Sequence, residues 1–168
     1  MRFIVVCMLL LLSACVSYRE PGGGVMKVTS NAFKEGNSIP KMYTCQGNNI
    51  NPQLAWSNTP KDTKSFALIM DDPDAPSGLF THWLVKNIPP NVMEIPEDTS
   101  PDGIEVPNSA QNASYIGPCP PSGMHRYFFK VYALDVEELP SDTKEEFYAG
   151  VEEHEIGHGV LIGLFAKK

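Results

Sequence analysis

An all-β sandwich with one helix near the C-terminus is the fold class this sequence predicts, and three features predict it. The apolar runs are short and rich in β-branched and aromatic residues. The 15 prolines fall mostly between those runs, where no ladder hydrogen bond is lost. Only one stretch carries helical periodicity.

In chain order, the expected strands are built on Met26-Lys27-Val28, Leu54-Ala55-Trp56, Ser65-Phe66-Ala67-Leu68-Ile69-Met70, and Phe80-Thr81-His82-Trp83-Leu84-Val85. They continue with His125-Arg126-Tyr127-Phe128-Phe129-Lys130-Val131-Tyr132-Ala133-Leu134 and close with Val160-Leu161-Ile162-Gly163-Leu164-Phe165. Before the last strand, Asp142 followed by Glu145 has the form of a helix cap. Phe147, Val151 and His154 then recur at i, i+4 and i+7, which predicts a helix over about 142–156.

The 168 residues suffice for one domain with its own core. Residues 1–14 read as a signal peptide: Arg2 gives a charged start, Phe3 to Leu12 an apolar core, and Ser13-Ala14 a small-residue cleavage site. The boundary Leu12-Ser13-Ala14-Cys15 resembles the bacterial lipobox, so lipidation is expected on Cys15. Residues 15–24, ending in Gly22-Gly23-Gly24, suit a flexible tether, and the domain is expected over 25–168. The protein is therefore expected in a bacterial cell envelope, held to a membrane by its N-terminal lipid. Loss of Arg2 from 13 basic residues leaves 12 against 20 acidic ones, a net charge of −8. That balance disfavours nucleic acid and a polybasic membrane contact.

Of four cysteines, Cys7 leaves with the signal and Cys15 carries lipid, so Cys45 and Cys119 remain. An even remainder in an oxidising compartment invites one bridge, and two separate buried thiols fit the sequence as well.

Polar residues gather at predicted strand ends. Asp72-Pro73-Asp74-Ala75-Pro76 follows the run ending at Met70, and His82 lies early in the next strand. Gly117-Pro118-Cys119-Pro120-Pro121 is a stiff loop leading into His125-Arg126-Tyr127. Residues two apart in a strand share a face, so His125 and Tyr127 should project together and Arg126 away from them. Imidazolium and phenol donate to an anion, and a carboxylate can orient a histidine. No cofactor is expected.

These blocks, with Tyr43-Thr44-Cys45-Gln46-Gly47, Asn51-Pro52-Gln53-Leu54-Ala55-Trp56 and Lys64-Ser65-Phe66-Ala67-Leu68, resemble the phosphatidylethanolamine-binding protein family, in its bacterial branch similar to Raf kinase inhibitor protein. The resemblance runs from about Val25 to Phe165. It implies a mainly antiparallel, Greek-key-like sandwich with a shallow anion pocket lined by Asp72, His82, Cys119, Pro120, His125 and Tyr127. It also implies a non-enzymatic role: binding phosphate, a phosphodiester or a phospholipid headgroup, and modulating a protein partner. By placing Cys119 in the pocket loop, it adds weight to a Cys45–Cys119 bridge.

Two enzymatic readings compete. His154-Glu155-Ile156-Gly157-His158 spells the HExxH of zinc peptidases, which binds metal through two histidines one helical turn apart. The sequence offers no third ligand: Leu161 and Leu164 stand where an extended motif has glycine and histidine, and His158 is expected in a turn bracketed by Gly157 and Gly159. A serine hydrolase built from Ser122, His125 and Asp72 would lack the GxSxG turn.

Overall fold

The computed structural model describes residues 24–167, so the signal peptide, Cys15 and nearly all of the tether lie outside the described residues. The strands are β1 (Gly24–Val25), β2 (Lys27–Thr29), β3 (Leu54–Ser57), β4 (Ser65–Asp72), β5 (Phe80–Ile88), β6 (Glu94–Ile95), β7 (Ile104–Glu105), β8 (Met124–Leu134) and β9 (Glu155–Ala166). One α-helix, α1 (Lys144–His154), precedes β9. Two sheets form, in the orders β1-β9-β8-β4-β5-β7 and β2-β3-β6, and every pairing is antiparallel except β1 with β9.

The large sheet is covered on both faces. Phe66, Leu68 and Met70 of β4 join Trp83, Tyr127, Phe129 and Val131 against Val28, Leu54 and Trp56 of the small sheet. The alternate β4 residues Ala67 and Ile69 pack with Leu84 against Phe147 and Val151 of α1. All eight residues of β4 are buried, which explains its unbroken apolar run.

Several elements differ from expectation in extent. The helix cap is Thr143, one residue later than the expected Asp142. Its hydroxyl accepts from Glu146 N–H at 3.2 Å while the Glu146 carboxylate accepts from Thr143 N–H at 3.2 Å. Strand β9 begins at Glu155, five residues before the expected run, so His158 lies within a strand and pairs with Tyr132 and Val25. Gly157 and Gly159, expected to bracket a turn, are strand residues on its buried face. A Cβ on Gly159 would lie 2.6 Å from the Met26 carbonyl oxygen, so glycine is needed there for close approach of β2 and not for bending. Gly24, assigned to the tether, pairs with Gly157 in β1.

Candidate functional site

The site begins where β4 leaves the core. Asp71 and Asp72 are consecutive strand residues and face opposite sides of the sheet. Asp71 turns toward α1, where Tyr148 Oη donates to it at 2.5 Å and Lys130 Nζ at 2.9 Å. Asp72 turns the other way. Its Oδ2 accepts from His125 Nδ1 at 2.7 Å, and its Oδ1 accepts from Asp74 N–H at 2.9 Å, closing the turn through Pro73. Beyond that turn, Arg126 donates to both Asp74 oxygens through Nε and Nη2, at 2.8 and 2.7 Å, and holds that carboxyl down at about 2. Arg126 thus points away from His125 and Tyr127, as strand periodicity requires.

His82 reaches the same place by a different device. Met70 pairs with Trp83 and Asp71 with Thr81, which leaves His82 as an extra, unpaired residue on β5. A bulge of this kind re-aims one side chain. The strand-face alternation from Thr81 to Trp83 is broken, and the ring swings toward Tyr127, with centroids 5.3 Å apart. The ladder bonds lost at the bulge are replaced, because His82 O accepts from Asn108 Nδ2 at 3.0 Å and Ile116 N–H at 3.3 Å. His82 Nδ1 in turn donates to Ile116 O at 2.8 Å.

Each imidazole is therefore committed through Nδ1 to an acceptor, Asp72 for His125 and a backbone carbonyl for His82. This fixes the tautomer and, among the described residues, leaves Nε2 of each ring without a hydrogen bond. Both rings line a cavity of about 200 Å³ together with Asp72, Cys119 and Pro120. Ala75, Pro76, Ser77, Phe80, Ile116, Gly117 and Pro121 complete the wall. Phe80 could have been foreseen, since it stands two residues before His82 and their rings lie 4.8 Å apart. Burial pushes the His82 imidazole below its usual range, against the opposing pull of the Ile116 carbonyl and the Asp72 and Asp71 charges.

Tyr127 departs from expectation. It is fully buried and does not line the cavity; it lies beneath both histidines, its ring stacked on that of His125 at 6.5 Å. Its hydroxyl forms no hydrogen bond of acceptable geometry among the described residues, although burial and the nearby Asp72 charge raise its pKa. Tyr127→Phe is therefore expected to raise folding stability, by about 1–3 kcal/mol, because it removes a buried hydroxyl that makes no hydrogen bond. The same substitution should leave anion affinity unchanged, as chemical denaturation and calorimetry would register.

The pocket loop is strapped to the segment at 43–49. Cys45 and Cys119 form a disulfide, with Cα atoms 5.4 Å apart. Tyr115 Oη donates to Tyr43 O at 2.7 Å, Cys45 N–H to Pro118 O at 3.1 Å, and Gly117 N–H to Asn49 Oδ1 at 2.8 Å. Asn49 adopts φ 58°, a conformation asparagine tolerates better than most residues.

The competing constellations come apart. Helix α1 ends at His154, so His154 and His158 do not share a helical turn. His154 Nδ1 bonds Asp135 at 3.0 Å, and His158 Nδ1 bonds Glu155 at 2.5 Å, which occupies the residue that would serve as base. Ser122 is exposed and outside the cavity.

Comparison with known proteins agrees with this architecture. The family model of phosphatidylethanolamine-binding protein matches residues 29–166. A UPF0098 protein of Methanothermobacter thermautotrophicus is 44% identical over 150 residues, covering 84% of this chain and 99% of its own. Another from Aquifex aeolicus is 45% identical over 157 residues, covering 87% and 91%. Among solved structures, a phosphatidylethanolamine-binding protein homologue from Chlamydia trachomatis superposes with a TM-score of 0.81 at 39% identity, covering 86% of this chain and 99% of that one. YbcL of Escherichia coli gives 0.80 at 33% identity, covering 85% and 99%. The chain belongs to the phosphatidylethanolamine-binding protein family.

Proposed function

We propose that this chain is a non-enzymatic binding module of a bacterial cell envelope, lipid-anchored through Cys15. It holds a small anion, a phosphate, phosphodiester or phospholipid headgroup, between His82 and His125, and so modulates a protein partner. The observation that carries this reading is the pair of imidazoles in one small cavity, each fixed through Nδ1 and each left with Nε2 to offer. Binding is favoured over turnover because the His125–Asp72 pair lacks an attacking partner. Ser77 shares the cavity but makes no hydrogen bond to His125, and Cys119 is tied in the disulfide.

The test is calorimetric titration with glycerophosphoethanolamine. A diester is chosen because a phosphate monoester titrates near ~6 and would confuse the result. Wild type should bind at about pH 6, and His125→Gln should bind at least about tenfold more weakly, as loss of one charge-assisted hydrogen bond requires. Equal heats from the two proteins would remove His125 from the pocket. For the anchor, Cys15→Ser should move the protein from the membrane to the soluble fraction, since stable attachment takes more than one acyl chain. Equal partition of both forms would refute it.

A further inference from the structure

We propose that the Cys45–Cys119 disulfide is a thiol-exchange site, at which the anion pocket delivers small anionic thiols to the sulfur of Cys119. This rests on the anion-binding reading and adds a reactive group to it. Both cysteines are exposed, and Cys119 lines the same cavity as His82 and His125. A disulfide reacts when a thiolate reaches one of its sulfurs, so access decides the rate. Here access and an anchoring point coincide. A molecule with an anionic group at one end and a thiolate at the other can bond to the imidazoles and still reach Sγ of Cys119. A cavity of about 200 Å³ admits such a molecule and excludes a folded peptide.

The step balances without an outside oxidant. The incoming thiolate forms a bond to Cys119 Sγ, the Sγ–Sγ bond breaks, and Cys45 departs as thiolate and takes a proton from solvent. The products are a mixed disulfide on Cys119 and a free Cys45, which can expel the guest by the reverse step. The pocket survives the opening, because the bonds from Tyr115 to Tyr43, Gly117 to Asn49 and Cys45 N–H to Pro118 do not depend on the bridge.

The charge of the chain makes the test sharp. At a net −8 once Arg2 is lost, the molecule as a whole repels anions, so a preference for an anionic thiol has to come from the pocket. The oxidised protein isolated from cells is treated at about pH 5.5, a unit below the ordinary imidazole value, with 2-mercaptoethanesulfonate or with neutral 2-mercaptoethanol. Adducts are trapped in acid and located by peptide mapping. Rates are corrected for thiolate fraction and for each thiol's reaction with bis(3-hydroxypropyl) disulfide, a neutral disulfide that contains neither thiol. The sulfonate should react about tenfold faster, the low end of what one charge-assisted hydrogen bond supplies. Its adduct should sit on Cys119, and the advantage should vanish in His82→Gln and under saturating glycerophosphoethanolamine. Equal or slower reaction of the sulfonate, or adducts confined to Cys45, would overturn the proposal. If the diester binds by calorimetry while the sulfonate has no advantage, exchange fails and the binding reading stands. If neither is seen, both fail. A sulfonate advantage without diester binding keeps the anion pocket and exchange, and discards the diester as ligand.

Discussion

Replacing Gly117 with alanine should detach the pocket loop and abolish measurable anion binding. A Cβ at this position would lie 2.3 Å from the Tyr43 carbonyl oxygen, 2.8 Å from Asn49 Oδ1 and 2.9 Å from Thr44 Cα. Two of these are backbone atoms that cannot rotate aside, and the third accepts the Gly117 N–H itself. The loop therefore has to move. Such overpacking costs about 3 kcal/mol of folding stability, the upper part of the usual range. The displacement would carry the Ile116 carbonyl away from His82 Nδ1 and shift Cys119, so binding suffers beyond the stability loss. Gly123→Ala separates the two effects. Gly123 has φ 71° with nothing within 4 Å of its Cβ position, so alanine there adds only left-handed strain, about 1–2 kcal/mol. Urea unfolding and diester calorimetry on both variants would check this. If Gly123→Ala weakens binding as much as Gly117→Ala, the strap does not support the pocket.

The large central strands were legible because burial on two faces or alternation on one writes itself into composition. The run from Ser65 to Met70 and the alternation from His125 to Leu134 are visible in the sequence, and they became β4 and β8. The two-residue strands β1, β6 and β7 were not legible, since two residues carry no period. The start of β9 was hidden by Gly157 and Gly159, whose lack of side chains reads as a turn signal when its cause is close packing on β2. The same limit applies at the site. His125 and Tyr127 were correctly placed on one face. The depth of Tyr127 depends on how the two sheets close over it, and nothing local encodes that. His82 is marked in the sequence by its neighbourhood and by the resemblance of its block to a family motif. The bulge that aims it is a difference in register between two strands, which exists only once they pair.

Anion affinity should rise as pH falls, while the stability of the unliganded protein should drop over the same window. His82 Nδ1 donates to Ile116 O, so in the neutral ring Nε2 is an acceptor and repels an anion; the ring must take up a proton to donate. The groups that bear on this proton are the Ile116 carbonyl and the Asp72 and Asp71 carboxylates, which favour it, and His125, whose charge opposes it. Burial outweighs them and holds the folded-state pKa below the unfolded value near ~6.5. The sign follows from linkage. Because the folded value is depressed, the stability this group contributes is complete above about pH 6.5 and is lost progressively as pH falls to the folded pKa. A bound anion raises the pKa again, so affinity climbs as pH falls through the bound-state value and levels below the free one. The slope is at most about tenfold per pH unit for each proton taken up. Asp72→Asn removes a charge that favours imidazolium, so it should displace the rise to lower pH even though the ring at 82 is unchanged. His82→Gln should flatten the part of the profile that this ring supplies. Thermal unfolding with and without glycerophosphoethanolamine between pH 5 and 8 reads both effects together: the melting temperature of the free protein should decrease with acid while the shift produced by the diester increases. A ligand-induced shift that is constant across that range would mean that no imidazole changes protonation when the anion binds.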